Sequence, residues 1–551
     1  MSSSRQYRAT LSPTAVLAFL AIICICTNAN GQQMQPLLLK LASSGKLGNA
    51  TQTVAGFIGH TLCEGEFVSK RSFESVWNSD ACVYNCLAHT IFNLTSPKSG
   101  PGTFEVNSTA KLVDVTVVNS TSSVVDIGPA FGCQRTVQDQ RSTQPVYVDD
   151  GSPWAPPLEG ADATANSSNR TAGVDYEALN KTLAKYFEDP ALVDSCHTKA
   201  ILAAVQAVLI EVILDYVVLL TQHLGVSDTM QGKLIAEQYS EALDISAATP
   251  SISWSLAKSV TSALIGIRAG DGGLSVRQLA TTPVWNASET AARNITLDNL
   301  LRMVSGIDWN ESAGLDTDGG RTVPLNDVAQ ALFEAPNAAA FVGALPQNCT
   351  PGTVWNYSTG NFQLLQYNLR RSFTSDLAYW SFAVNRLFKK IGARSFVFES
   401  DPSGTLLGGS HAFATARDWA RFGQLFLQDG MWNGKRVLPE GWVQYSAAPT
   451  KAFSKYGAGW WLRYPGAPSD SFYGNGLMGQ RVIVVPSQDL VIVRLGLNYN
   501  DDFDQAWPPP LIPDIQNVYG QDFFGNISAA LPTSSAPQGL SQSQPAYQVV
   551  G

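Results

Sequence analysis

The alternation of apolar and polar positions divides the chain into unlike parts. From Ala15 to Cys26 every position is apolar, a run of 12 residues, whereas a helix needs about 20 to span a bilayer. Between residues 32 and 150 the apolar positions fall in short Val/Thr-rich runs such as Lys111 to Val118, the pattern of strands. Residues 151–173 lose this periodicity and are rich in Pro, Gly, Ala, Ser and Asn, with Pro153, Pro156 and Pro157 among them; they read as a linker. The stretch 174–526 mixes two periods. Leu256, Val260, Ala263 and Leu264 recur at helical spacing directly after Ser255. Thr296 to Met303 reads as a helix start, and Ala416 to Gln428 sets Phe422, Leu425 and Phe426 on one helical face. Gln480–Val485 and Leu490–Leu495 are β-rich runs joined by the four residues Pro486 to Asp489, a hairpin. Helices in the middle and strands at the end imply an α+β domain. Residues 527–551 are Ser, Pro, Gln and Ala with few apolar anchors, and this tail is read as disordered.

Composition narrows the class. With 551 residues and 45% hydrophobic positions the chain can bury a sizeable core. The net charge of -9 comes without a basic cluster, so nucleic acid is not an expected partner. Arg5 and Arg8, the apolar run after them, and Ala29-Asn30-Gly31 have the order of a signal peptide over residues 1–31. Its removal would take away two positive charges and no acid, giving -9 - 2 = -11. Thirteen Asn-X-Ser/Thr sequons, from Asn49 to Asn526, agree with passage through a secretory pathway. A secreted glycoprotein without a stable membrane span is therefore expected. Six cysteines remain after residue 31: Cys63, Cys82, Cys86, Cys133, Cys196 and Cys349. An even number in this context suggests disulfides, and the sequence leaves all fifteen pairings open. No CxxC finds a second CxxC or an HxxxH, so no metal or other cofactor is expected. The five histidines, His60, His89, His197, His223 and His411, fall outside the motifs and read as surface or satisfied core residues.

The chemistry concentrates at Trp254-Ser-Leu-Ala-Lys-Ser259. A spacing of i, i+3 puts Ser255 and Lys258 on one helical face. At a helix start, free N–H groups and positive potential favour an alkoxide and disfavour an ammonium, so Lys258 can take the serine proton. The Ser-x-x-Lys pattern alone is weak; Ser43 to Lys46 is a second copy, and the plain reading of Ser255 is a helix cap. Two further segments change the weight. Pro351 to Gly360 is a Pro-Gly turn leading to Tyr357, a phenol able to relay a proton. Gly474-Asn-Gly-Leu-Met-Gly-Gln480 stands directly before the hairpin. There Gly479 would let a substrate approach the strand edge, and the Gln480 N–H could bind an oxyanion.

In these segments the chain resembles the serine β-lactamase-related hydrolases, nearest to the 6-aminohexanoate-dimer hydrolase and class C β-lactamase-like esterase branch. The likeness runs through Trp254–Gly266, Ile295–Gly306, Pro351–Gly360, Thr415–Gly430, Asn433–Trp442 and Tyr456–Gly496, and extends upstream to Thr61–Ser69 and Phe131–Cys133. It implies an antiparallel sheet flanked by helices plus a helical subdomain, preceded by a small disulfide-linked region. It also implies that Ser255 is acylated, that Lys258 is the base and Tyr357 the relay, and that the N–H groups of Ser255 and Gln480 form the oxyanion hole. Gly479 and Thr359 would line the cleft, and the substrate would be a small ester or amide. Two departures stand out. Thr359 occupies the last position of a motif that often reads Tyr-x-Asn. Leu477 stands where a Lys or His often grips a carboxylate, which argues against an efficient β-lactamase or D-Ala peptidase. An inactive binding protein on the same fold is the rival reading, and the complete Ser255, Lys258 and Tyr357 set counts against it.

A third departure is an apolar stretch at about 205–230, holding Glu211 and Asp215. The resemblance places a tight hairpin between strands at Lys199–Ala203 and Gly232–Tyr239. The extra residues read as a helical insertion or as translated intron sequence. Gly474 to Gly479 also fits GxGxxG, but a strand rather than a helix follows, so it is not read as a nucleotide loop. GxSxG is absent. Asp316-Thr-Asp318-Gly-Gly lacks the remaining ligands of a calcium loop.

Overall fold

The computed structural model describes residues 47–71, 102–107, 110–117, 120–127, 130–136, 145–155, 245–311 and 327–498, the strands at 5–7, 212–221 and 233–239, and single positions at 76 and between 175 and 181. The expected signal peptide apart from 5–7, most of the linker, the Asp316–Gly320 loop and the tail lie outside them.

The N-terminal region is a helix, Leu47–Cys63, on a five-stranded antiparallel sheet. The strand order is Arg5–Tyr7, Gly102–Asn107, Leu112–Val117, Ser120–Asp126, Cys133–Thr136. Arg5–Tyr7, inside the leader-like segment, is the edge strand. Ala55, Ile58 and Leu62 of the helix bury against Val113, Val115 and Val124. A disulfide between Cys63 and Cys133 ties the helix end to the last strand, which settles one of the open pairings. Cys349 is a free thiol; Cys82, Cys86 and Cys196 lie outside the described residues. The same apolar cluster includes Val397 and Phe413. This region therefore packs directly on a three-stranded sheet of the main domain, formed by Ser251–Ile252, Ala412–Ala414 and Val397–Phe398.

The main sheet has six antiparallel strands in the order Trp461–Leu462, Phe472–Gly476, Gln480–Val485, Leu490–Asn498, Val212–Thr221, Lys233–Tyr239. The expected hairpin is present, with Val482 opposite Val493 and Val485 opposite Leu490. The expected helices are Leu297–Leu301, entered through a Thr296/Asn299 capping box, and Ala416–Leu427, capped by Thr415. Helix Ala416–Leu427 lies on the sheet, where a Cβ on Gly423 would meet Val491 at 2.6 Å.

The described part of the extra apolar stretch, Val212–Thr221, is a strand between Leu490–Asn498 and Lys233–Tyr239 rather than a helix; the rest of the stretch lies outside the described residues. The strand's content of Val, Ile, Tyr and Thr favours an extended chain paired on both edges. Asp215 falls where the register skips from Tyr216 to Leu214 opposite Leu495 and Gly496, so a bulge absorbs the acid. The position that the resemblance gives to Lys199–Ala203 is thus taken by residues from the extra stretch.

At the centre runs the helix Ala257–Gly270, buried at every position from Ala257 to Ile267. A helix enclosed on all sides must satisfy its polar side chains internally. Ser259, Thr261 and Ser262 donate to the carbonyls of Gly459, Gly408 and Ala458, each at 2.8 Å, and so pin two loops against it. Among the described residues no helix is long and apolar enough to cross a membrane.

Two outcomes follow from this architecture. Because Val212–Thr221 is an interior strand, mass-spectrometric mapping of the native protein should recover peptides spanning 205–230. Their absence would return that place in the sheet to Lys199–Ala203. Replacing Cys63 and Cys133 by alanine opens a loop with a sequence separation of 70 and should lower stability by about 4 kcal/mol, measured by urea unfolding.

Candidate active site

Ser255 lies in the turn Trp254–Leu256, which runs straight into the central helix. Trp254 has φ of 45°, a left-handed conformation that costs a bulky residue about 1–3 kcal/mol and persists where surroundings impose it. Here Ser253 imposes it. Its N–H donates to the Ala412 carbonyl at 2.8 Å and its Oγ to the Ser410 carbonyl at 2.9 Å. From the other side, strand Phe472–Gly476 lies so close that a Cβ on Gly476 would stand 2.2 Å from the Ser253 carbonyl oxygen. Only glycine fits that position.

The Ser255 side chain caps no helix. Its Oγ accepts from Lys258 Nζ at 2.9 Å. Lys258 is 2% exposed and donates also to Thr359 Oγ1 and to the Gly409 carbonyl, both at 2.8 Å. Glu311 orders this arrangement. Its carboxylate accepts from Thr359 Oγ1 at 2.5 Å and from the Thr359 N–H at 2.8 Å, and from Trp309 Nε1. The Thr359 proton is thereby committed to Glu311, so Thr359 Oγ1 can only accept from Lys258. The Gly409 carbonyl can only accept as well. A neutral Lys258 places its two N–H bonds on these acceptors, and its lone pair is left facing Ser255 Oγ. Burial lowers the Lys258 pKa from 10.5 to about 8, while the Glu311 charge pulls the other way. Both protonation states are therefore within reach near neutral pH.

Tyr357 stands beside this pair, with Lys258 Nζ 4.8 Å from its ring centre. Its ring belongs to an aromatic wall with Trp461 at 5.7 Å, Tyr456 at 6.1 Å and Trp355 at 6.2 Å. Gln480 opens the adjacent strand opposite Gly476. Its side chain is locked across the sheet, donating to the Gly496 carbonyl and accepting from the Gly496 N–H at 3.0 Å. Gly479 has φ of 86°, which glycine adopts without strain, and its carbonyl accepts from Arg494 at 2.7 Å. Arg481 is buried and donates to the carbonyls of Gly476 and Gln480 at 2.8 and 2.9 Å. Leu477 packs with Trp254, Leu332, Phe333 and Leu407.

The fold thus gathers Ser255, Lys258, Tyr357 and Thr359, and sets Gly479 in the turn, and Gln480 at the start of the second strand, of the strand pair that abuts the Ser255 turn. Glu311 and the Gly409 carbonyl were not anticipated. A lone acid 48 positions before the threonine it holds carries no local signal, and a backbone carbonyl carries none at all.

Residues 198–505, more than half of the chain, match the family model Beta-lactamase. A curated 6-aminohexanoate-dimer hydrolase of Paenarthrobacter ureafaciens is 25% identical over 275 residues, covering 46% of this chain and 66% of that protein. The chain thus spans just under two thirds of that relative's length. A Bacillus anthracis structure provisionally named 6-aminohexanoate-dimer hydrolase is 22% identical, with a TM-score of 0.45, over 58% of this chain and 79% of its own. A penicillin-binding protein homologue from Caulobacter crescentus is 14% identical, with a TM-score of 0.42, over 64% and 97%.

If neutral Lys258 is what activates Ser255, fluorophosphonate labelling of Ser255 should rise about tenfold per pH unit below about pH 8 and level off above it. Glu311→Gln removes the charge that stabilises the ammonium, so the rising limb should move to lower pH. Rate–pH profiles of the two proteins check this; superimposable limbs would show that Glu311 does not couple to Lys258.

Proposed function

Because the chain belongs to the beta-lactamase family, we propose that it is a serine hydrolase that cleaves small esters or amides through an acyl-enzyme on Ser255. Neutral Lys258 takes the hydroxyl proton as Oγ attacks the carbonyl carbon. The oxyanion so formed is held by the N–H groups of Ser255 and Gln480. Tyr357 carries a proton to the leaving alcohol or amine, and the carbon–heteroatom bond breaks. Water then repeats the sequence on the acyl ester, and the acid and serine are released. The observation that carries this reading is the direct Lys258–Ser255 hydrogen bond, with the lysine's other two contacts both fixed as acceptors.

The substrate reading rests on what surrounds the pair. Leu477 presents no cation in the third motif, and Arg481 and Arg494 are engaged by backbone carbonyls. The wall of Trp355, Tyr357, Tyr456 and Trp461 is apolar and aromatic. Neutral substrates with an apolar portion suit these groups better than substrates held by a carboxylate. The relative from Paenarthrobacter ureafaciens is named for hydrolysis of the 6-aminohexanoate dimer, which keeps amides beside esters. Secretion and N-glycosylation belong to the same proposal, supported by the leader-like residues 1–31, the sequons and the Cys63–Cys133 bridge; removing the leader would take away the Arg5–Tyr7 edge strand and leave the four strands from Gly102 to Thr136.

Ser255→Ala should remain folded by circular dichroism and lose at least about 10,000-fold in kcat. Full turnover by the folded variant would remove Ser255 from the mechanism. On a substrate panel, short-chain p-nitrophenyl esters and neutral amides should exceed cephalosporins in kcat/KM. The reverse order would mean that a cation not assigned to this cleft grips the carboxylate.

A further inference from the structure

Behind the Ser255 turn, where the N-terminal helix meets the main domain, four buried side chains converge from distant parts of the chain. His60 and Glu64 lie one helical turn apart at the end of helix Leu47–Cys63. Glu399 and His411 come from the small three-stranded sheet and its flanks. His60 Nδ1 is 3.5 Å from Glu399 Oε2 and 3.8 Å from Glu64 Oε1, and His411 Nε2 is 3.7 Å from Glu64 Oε1. The four are between 0% and 7% exposed.

The two imidazoles are poorly served by the protein around them. Both ring nitrogens of His60, and Nδ1 of His411, are buried without a hydrogen-bond partner, an arrangement that costs roughly 1–3 kcal/mol per group. The other Glu399 oxygen accepts from the Cys133 N–H at 2.7 Å, so the disulfide-linked strand aims Oε2 at His60. Aromatic rings close the space: Phe333 lies 5.9 Å from His60 and 5.5 Å from His411, and Trp254 lies 5.5 Å from His411. Arg135 acts on His60 electrostatically, but its guanidinium donates to the Glu334 carbonyl.

We propose that His60, Glu64 and Glu399 bind one divalent cation of the zinc class, as a structural site joining the N-terminal region to the hydrolase domain, with His411 beside it against Glu64. The two carboxylates of such a site would balance a dication. Zinc bonds of about 2.0–2.2 Å to nitrogen and oxygen in a tetrahedron set neighbouring donors about 3.4 Å apart, close to the 3.5 and 3.8 Å that separate His60 Nδ1 from Glu399 and Glu64. The chain turns from an α-helix into a π-type turn at Glu64–Val68, closed by Ser69 N–H to the Glu64 carbonyl at 2.8 Å; such turns often accompany binding sites. His411 is two residues from Gly409, whose carbonyl holds Lys258. The cation would therefore stiffen the loop that supports the active-site lysine.

The alternative is a proton shared between the two carboxyl groups, which already interact, with no metal. Elemental analysis of protein purified without chelators decides between them. We expect about one zinc per chain, a lower melting temperature after treatment with 1,10-phenanthroline, and recovery on adding zinc. Refilling with cobalt should give the visible bands of a tetrahedral nitrogen–oxygen site. His60→Ala and Glu399→Gln should lose the metal, whereas Ser255→Ala should keep it, which separates this result from the fate of the catalytic reading. Protein without stoichiometric metal, whose melting temperature ignores added zinc and which gives no cobalt bands, would overturn the proposal. So would retention of one metal per chain by folded His60→Ala and Glu399→Gln.

Discussion

A lysine ammonium taken out of water is unstable unless its protons are satisfied or one is given up, and Lys258 is under that constraint. Thr359 Oγ1, the Gly409 carbonyl and Ser255 Oγ are its three contacts. Two of them can only accept, and the third is the Ser255 hydroxyl. Much of the surrounding architecture keeps these three in place. Glu311 fixes the Thr359 proton. The buried faces of the central helix pin the loop at Gly408–Gly409 through Thr261. The strand Phe472–Gly476 presses on the turn that carries Ser255. Replacing the expected asparagine by Thr359 leaves the lysine with a partner, because the hydroxyl both accepts from Lys258 and donates to Glu311.

The same constraint explains the unusual composition of the central helix. A helix enclosed by protein would ordinarily be apolar throughout, yet this one carries Ser259, Thr261 and Ser262. Each hydroxyl donates to a carbonyl of a loop that has no sheet partner for it there. The polar side chains therefore hold loops in register around the site, and replacing one by an apolar residue would strand a buried carbonyl. Glycines complete the fit at the closest approach. Gly476 is required where the strand meets Ser253, and a larger residue would displace the Ser255 turn and the start of the Gln480 strand together.

The N-terminal region joins this core. Its helix shares an apolar cluster with Val397 and Phe413, and the Cys63–Cys133 bridge sets the Cys133 N–H on Glu399. The polar contacts of that interface lie behind Trp254, so the packing of the N-terminal helix reaches the Ser255 turn through few intermediaries. A region that looks like an independent appendage along the chain is one wall of the hydrolase domain.

Local sequence determined what depends on near neighbours. The helical stripe after Ser255, the capped helices at Thr296 and Thr415, the hairpin around Pro486–Asp489 and the i, i+3 pairing of Ser255 with Lys258 all arise from spacing within a few residues. Family-like motifs at Tyr357 and Gly474–Gln480 added the remaining members of the site. In the extra stretch at 205–230, apolar residues with two acids fit a helix or a strand until edge partners are known; pairing with Leu490–Asn498 and Lys233–Tyr239 makes Val212–Thr221 a strand. Glu311 against Thr359, the Gly409 carbonyl against Lys258, and His60 with Glu399 were decided by the tertiary structure alone. Their partners lie 48, 151 and 339 positions apart, and only the closing of the chain around a buried charge brings such groups within hydrogen-bonding or ligand distance.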